Sequence, residues 1–276
     1  TRDYLLPEIY KKVNLEDMVH ISDDVVTFIV DHYTCEPGVR KLKQILFEVV
    51  SEVNLSVLKQ DISFEMLPIE ITSDDVKEKY LKKRKPVRHK EIHPKHSIGI
   101  INGLWANAMG QGGIIPIQCN YFPTGTFLDL KLTGMQGDVM KESMNVAKTL
   151  GYQLTPTDRK KELIKVFKDT QMQGIHIHCP EGAVPKDGPS AGAAITSVVY
   201  SLLNEKEIKH NLGITGEINL QGFVTAIGGL DLKILGGIRA GVREFIYPEE
   251  NKDEFKEFWE QYGDKDVVKD VVFHSV

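Results

Sequence analysis

The chain has 276 residues, with 34 Lys and Arg against 39 Asp and Glu and a formal net charge of -5. Hydrophobic residues make up 41% and charged residues 26%, a globular balance that excludes a collagen, a coiled-coil rod and a wholly disordered chain. The mild acidity gives no global pull toward nucleic acid or anionic lipid, and no apolar run approaches the ~20 residues of a membrane-spanning helix.

At roughly 150 residues per domain the length suits one large domain or two smaller ones. The chain opens Thr1-Arg2-Asp3-Tyr4, without an initiator Met or signal peptide, and reads as a piece of a longer polypeptide. Cys35, Cys119 and Cys179 are few and scattered, which points to a reducing, intracellular compartment rather than a disulfide framework.

The region to about Leu81 reads as mostly helical. Ser22 with Asp23 and Asp24 supplies an N-cap and an acidic first turn for a helix to about Tyr33. After a break at Glu36-Pro37-Gly38, apolar residues recur at three- and four-residue steps from Val39 through Leu42, Leu46, Val49 and Val53 to Val57. That spacing predicts a long amphipathic helix. Phe64 to Ile71 reads as a short strand, and Thr72-Ser73-Asp74-Asp75 as the cap of a short helix.

Between Lys77 and His96 the composition turns basic and is punctuated by Pro86 and Pro94. A solvated linker over residues 82–97 is the expected reading, with a nucleic-acid or polyphosphate contact through residues 77–95 as the alternative. His89, His93 and His96 lack an accompanying Cys or carboxylate cluster, so no metal site is expected there.

From Ile98 the pattern is mixed α/β. Strands are expected at Ile114–Cys119, Thr126–Leu132 and Ile175–Cys179, and helices at Asp138–Leu150 and Ala191–Leu203. A strand–turn–helix unit runs from Ile214 to Ala240. Phe245–Tyr247, Glu254–Tyr262 and Val271–Phe273 then read as strand, surface helix and closing strand.

The chemistry concentrates in the loop from Pro180 to Gly192. A strand feeds a Pro- and Gly-rich turn, which feeds an apolar helix opening near Ser190. Pro189 fits a helix start, and Ser190 then sits where backbone N–H groups are unpaired and the dipole favours an anion. That is the setting a serine nucleophile's tetrahedral intermediate needs, although Ser190 as a simple helix cap fits equally.

A triad would require a later His, but His210 reads as exposed in a charged turn and His274 lies two residues from the end. Lys233 is the one cation in the nearly apolar stretch Ile227–Leu235. It either snorkels to solvent or is buried, and burial would lower its pKa toward ~7–8 and make a base of it. A Cys179–His178 pair is excluded as a nucleophile and base because adjacent strand residues point to opposite faces.

The blocks His176-Ile177-His178, Pro180-Glu181-Gly182-Ala183, Pro185 to Gly192, Thr215-Gly216-Glu217-Ile218 and Gly228-Gly229-Leu230 through Lys233 occur in this order. Together they resemble the C-terminal proteolytic domain of the Lon family of ATP-dependent proteases. The resemblance extends to Asn102-Gly103-Leu104 and Gly134 through Ser143 and covers residues 98–276. Tyr4-Leu5-Leu6-Pro7 and Glu36 to Leu42 resemble the small α-helical subdomain that ends a Lon AAA+ module.

The resemblance implies an α+β chain: a helical AAA+ lid subdomain at 1–81, a basic linker at 82–97, and a mixed α/β Lon proteolytic domain, ribosomal protein S5 domain 2-like, at 98–276. It implies a Ser–Lys dyad of Ser190 and Lys233, with Thr215 holding the lysine amine or else forming a strand-end turn, and Asp187 in the loop before the nucleophile gating the site, hydrogen-bonding nearby or forming its turn. His176 and His178 are expected to be structural. Arg40 falls at the sensor-2 position that senses bound nucleotide, or else pairs with Glu36 at a helix start.

No Gly-x-x-x-x-Gly-Lys-Ser/Thr loop occurs in the sequence. The chain alone is therefore expected to carry no cofactor and to hydrolyse no ATP, with ATP and Mg serving the full-length protein. The family further implies unfolded protein substrates, a homo-hexamer, no membrane, and a cytoplasmic setting ahead of the mitochondrial matrix. A non-proteolytic Lon-like scaffold is the competing expectation, against which Ser190 and Lys233 both count. Ala226, Asp231 and Gly236-Gly237 depart from the family's usual spelling around the Lys233 helix. The two glycines should weaken that helix by about 1 kcal/mol each.

Overall fold

The computed structural model describes residues 1–34, 36, 38–59, 68–87, 90–180 and 187–276. Cys35, the 64–67 part of the expected strand, His89, and the 181–186 part of the loop before Ser190 lie outside the described residues. The chain divides into two compact units, Thr1–Arg88 and His89–Val276.

In the first unit α1 (Leu5–Val13), α2 (Asp23–Tyr33) and α3 (Arg40–Leu58) enclose a core of Ile9, Ile29, Ile45, Leu46, Val49 and Val53. The spacing of α3 explains its place there, since residues three and four apart form one buried stripe. Ser22 Oγ accepts the Val25 amide at 3.4 Å and opens α2. Two short strands, β1 (Val19–Ile21) and β2 (Ile69–Ile71), pair in parallel. A capping box between Thr72 and Asp75 opens α4 (Ser73–Asp75), which continues as a π-turn to Tyr80.

Glu36 does not pair with Arg40. Its carboxylate accepts the amides of Lys41 and Leu42 at 2.5 and 3.0 Å and so caps α3, whose own N-cap, Val39, has no capping side chain.

The second unit is a seven-stranded mixed sheet with helices on both faces. Its strands are β3 (Ile100–Ala106), β4 (Gly112–Phe122), β5 (Leu130–Thr133), β6 (Gly174–His178), β7 (Leu212–Ile214), β10 (Glu244–Tyr247) and β11 (Val272–Ser275). They lie in the order β11-β10-β7-β3-β4-β6-β5. Pairing is parallel except at β3–β4 and β4–β6. A hairpin of β8 (Glu217–Ile218) and β9 (Val224–Thr225) stands apart from this sheet.

Alternation along the strands feeds two cores. Ile101, Ile117 and Cys119 pack with α5 (Asp138–Leu154) and α7 (Gly192–Asn204), while Leu104 and Ile114 pack with α8 (Leu230–Arg239) and α9 (Lys252–Tyr262).

Three local expectations change. The strand expected from Thr126 starts at Leu130, because Thr126 to Asp129 form a turn in which Leu128 has φ 55°. A helix not anticipated, α6 (Thr157–Thr170), buries only Leu163, so its apolar period is faint. Part of the basic stretch is bonded into the second unit: the Ile92 amide donates to Ala240 O at 3.0 Å, and Ser97 bridges Ile208. Among the described residues no helix is long and apolar enough to cross a membrane.

Candidate active site

Ser190 lies in a 3-10 turn, Pro189–Ala191, that leads directly into α7. The turn is held from two sides. Gly216 N–H donates to the Ser190 carbonyl at 2.8 Å, and Ala193 N–H donates back to Gly216 O at 3.0 Å. From α5, Ser143 Oγ donates to Pro189 O at 3.4 Å. The half-buried Ser190 is thus presented at the amino end of an apolar helix, where partial positive charge accumulates.

Lys233 lies one turn into α8 and is 4% exposed, so it does not snorkel. Burial lowers its pKa from 10.5 to about 8, against a smaller upward pull from the Glu254 carboxylate. Its Nζ donates to Thr215 Oγ1 at 3.3 Å, and Thr215 Oγ1 donates to the Ser190 carbonyl at 3.3 Å. A hydroxyl has one proton. Because that proton is committed to Ser190 O, Thr215 can only accept from the lysine, and the amine keeps its remaining N–H groups or lone pair for a second partner. Among the described residues no direct hydrogen bond joins Ser190 Oγ to Lys233 Nζ; Thr215 links the amine to the Ser190 backbone carbonyl.

Asp187 is placed on α5 rather than on the amine. Its Oδ1 accepts the Met140 amide at 3.0 Å and the Gly188 amide at 2.9 Å. Gly137, the N-cap of α5, has no side chain to offer, and a Cβ there would lie 2.3 Å from Asp187 Cγ. Asp187 therefore caps α5 from the far side of a 47-residue separation.

His176 Nε2 and His178 Nδ1 share Thr133 Oγ1 at 2.9 and 2.7 Å, which ties β5 to β6. Cys179 is fully buried. His210 is half buried rather than exposed; its Nδ1 lies 3.1 Å from His96 Nδ1, while His274 pairs with Glu244 at 3.2 Å. Arg40, in the first unit, is exposed at the first position of α3 and has no ion-pair partner among the described residues. Among the described residues no group of three or more His, Cys, Asp or Glu is arranged to hold a metal ion.

The support of α8 has no counterpart in the local sequence pattern. Its N-cap, Gly229, has φ 67° and no capping side chain, and the missing cap comes from residues 250–254. The signal for it was an absence: a helix start spelled Ile227-Gly228-Gly229 has no Ser, Thr, Asp or Asn of its own.

Residues 70–272 match the family profile described as Lon protease (S16) C-terminal proteolytic domain, and residues 11–63 match the Lon protease AAA+ ATPase lid domain. The chain is 37% identical over 255 residues to a Lon protease of Fusobacterium nucleatum, covering 90% of this chain and 31% of that protein. It is 36% identical over 255 residues to a Lon protease of Clostridium acetobutylicum, covering 91% and 31%. A Lon protease homolog of Acanthamoeba polyphaga mimivirus is 30% identical over 312 residues, covering 92% and 30%. The chain spans about a third of the length of these curated relatives.

Proposed function

The chain belongs to the Lon protease family, and from that premise we propose that it is a serine endopeptidase in which Ser190 is the nucleophile and Lys233 the general base. The observation that carries the reading is Lys233 itself: an amine 4% exposed, with a pKa brought down to about 8 and one hydroxyl between it and the Ser190 turn.

The chemistry then follows from the residues. Neutral Nζ accepts the Ser190 hydroxyl proton as Oγ attacks the scissile carbonyl carbon. The oxyanion forms at the amino end of α7, where backbone N–H groups and the helix dipole favour it. The ammonium returns its proton to the leaving amine, which departs and leaves an acyl ester on Ser190. Water, deprotonated by the same amine, hydrolyses that ester. For the first step the amine or the hydroxyl rotates toward the other across the Thr215 hydroxyl.

Substrate and assembly follow the family in this proposal: unfolded or damaged polypeptides, cut in a homo-hexameric chamber. Delivery would be driven by ATP and magnesium bound by other parts of a longer protein, since this sequence has no P-loop. Arg40 is the residue proposed to sense that nucleotide, being exposed at a helix start with its charge uncommitted among the described residues. A single arginine does not by itself hold a nucleotide.

The test is cleavage of a fluorogenic peptide by the purified chain. Ser190→Ala and Lys233→Ala should each lower the rate by at least about a thousandfold while the fold persists, and a serine-reactive probe should label Ser190. Full cleavage by either variant would overturn the dyad.

A further inference from the structure

The helix that carries Lys233 begins without a cap of its own. Gly229, in the left-handed region at φ 67°, is its N-cap and offers no side chain. The first amides of a helix have no intrahelical acceptor, and a buried amide left unpaired costs about 1–3 kcal/mol. Two side chains from the start of α9 take over. Glu254 Oε1 accepts the Leu230 amide at 2.8 Å, which is the first residue of α8. Asn251, 5% exposed, accepts the Ile227 amide through Oδ1 at 3.0 Å and donates through Nδ2 to Ile227 O at 2.7 Å.

The same Nδ2 donates to Glu254 Oε2 at 2.8 Å, joining the two side chains into one unit. Glu250 adds a further anchor by accepting the Ala226 amide at 2.7 Å. The entire approach to α8, from Ala226 to Leu230, is therefore clamped by residues 250–254. Lys233 follows Leu230 by three residues, on the same helical face one turn on.

We propose that Asn251 and Glu254 are positioning residues for Lys233: Asn251 fixes the entry of α8, and Glu254 both caps the helix and sets the charge environment of the amine. The inference rests on the dyad reading above. It explains how a base can be placed in a helix whose start has glycines where a cap would stand. The carboxylate that caps the helix, engaged by Leu230 N–H and Asn251 Nδ2, also exerts a field that opposes the burial driving the amine toward neutrality.

The other groups around Lys233 leave Glu254 as the charge that matters. From β3 and β4 the helix is faced by Leu104, Ala106, Gly112 and Gly113. From the nucleophile turn come Ser190 and the Thr215 hydroxyl. Glu250 is committed to Ala226, and on α8 itself Asp231 and Arg239 lie in the first and last turns.

The experiment is the pH profile of kcat/KM for peptide cleavage by the full chain, in wild type, Glu254→Gln, Glu254→Asp and Asn251→Ala, with thermal unfolding measured beside it. Glu254→Gln can keep the Leu230 bond but loses the negative charge and, its second position being an NH2 donor, the bond from Asn251 Nδ2, so the amine becomes neutral more readily. The ascending limb should move to lower pH by roughly half a unit, the order expected of one charge through a partly buried medium. Glu254→Asp keeps the charge and shortens the reach; its limb should stay in place while kcat falls about tenfold. Asn251→Ala should lower kcat about tenfold with KM within twofold.

An unmoved limb in Glu254→Gln, or wild-type kcat in Glu254→Asp and Asn251→Ala, overturns the proposal. Should Glu254→Gln fail to fold, the Asp and Asn251 variants decide it alone. Ser190→Ala run in parallel separates the two claims: its retained activity would overturn the dyad, whereas a dead Ser190→Ala with unaltered Glu254 variants overturns only the positioning role.

Discussion

Lys233 Nζ meets Thr215 Oγ1 at 3.3 Å inside a site where both side chains are almost wholly buried, at 4% and 1% exposure. Thr215 in turn donates its one hydroxyl proton to the Ser190 carbonyl. The amine is thus oriented by a group that can only accept from it, and the nucleophile's backbone is held by the same group. Thr215→Val keeps the shape and removes both bonds, while Gly216 N–H continues to hold Ser190 O at 2.8 Å. The expected outcome is a kcat lowered ten- to a hundredfold with little change in KM, and near-complete recovery in Thr215→Ser. Steady-state kinetics on a fluorogenic peptide read this directly.

The buried amine also predicts the pH behaviour. With a pKa of about 8 in the folded chain, the neutral base is a minor species at pH 6.5 and dominant at pH 9. The kcat/KM profile should therefore rise with pH, about tenfold per unit below pH 8, and level off above it. Stability has the same sign. The unfolded lysine binds its proton up to about pH 10.4, whereas the folded one releases it near 8, so folding strengthens as pH rises between the two. At pH 7 the burial of the charge costs about 3 kcal/mol. Lys233→Met removes that cost and should raise the melting temperature at pH 7 while abolishing cleavage. A melting temperature lowered at pH 7 would contradict the burial argument.

The parts of this chain that are legible in its sequence are those with a local physical signature. α3 shows itself because seven buried residues from Leu42 to Val57 recur at helical spacing, and α2 because Ser22 caps it. Ser190 stands out as the end of a Pro- and Gly-rich turn before an apolar helix, and Lys233 as the lone cation of an apolar stretch. What connects them carries no local signature, and Thr215 comes only from the family resemblance. Thr215 touches both only because β7 delivers it there, and Asp187 and Glu254 cap helices separated from them by 47 and 24 residues. Remote caps leave no periodicity. Their trace is the glycine at the helix start, Gly137 in one case and Gly229 in the other, where a local cap is missing.

Gly137 and Asp187 form a pair whose coupling can be measured. Gly137 has an ordinary helical-entry backbone, φ -70°, so alanine there is not strained; it is obstructed, because its Cβ would lie 2.3–2.6 Å from the Asp187 carboxylate. Gly137→Ala should destabilise by more than the cap is worth, because it displaces Asp187 and the turn leading to Ser190. Asp187→Ala alone should cost about 1 kcal/mol, the usual value of a capping carboxylate. In the double variant the clash is gone, so the losses should be clearly less than additive. Denaturant titrations of the four proteins test the coupling, and strict additivity would contradict the contact.

Gly236 reverses a familiar rule. Glycine inside a helix costs about 1 kcal/mol relative to alanine, and on that ground Gly236→Ala should stabilise α8. The structure requires the opposite. A Cβ at Gly236 would fall 2.1 Å from Gly112 C, and one at Gly112 would fall 1.9 Å from Leu232 O. Helix and strand meet backbone to backbone here, which only paired glycines allow. Gly236→Ala should destabilise the second unit and, by lifting α8 from β4, lower cleavage more than it lowers the melting temperature would suggest. A stabilised, fully active Gly236→Ala protein would show that α8 does not rest on β4.

The segment from Ile92 to Ser97 should loosen in acid. Both ring nitrogens of His93 are enclosed without a hydrogen-bond partner among the described residues, and burial, then the nearby His210 and His96 rings, hold its pKa below the ordinary 6.5. The folded state therefore binds its proton less readily than the unfolded state, and its stabilising effect is complete above about pH 6.5 and lost as pH falls below it. His96 Nδ1 accepts the His210 amide at 3.1 Å. Glu244, a nearby carboxylate on β10, is already engaged by Lys209 at 2.6 Å and His274 at 3.2 Å. Amide-exchange protection at Ile92, Ser97 and Ile208, corrected for intrinsic rates, should fall between pH 7.5 and 5.5, while the β3–β4 amides stay protected. His93→Phe fills the same pocket without a titrating group and should flatten that fall, and a protection loss of equal size in the Phe variant would show that His93 is not its source.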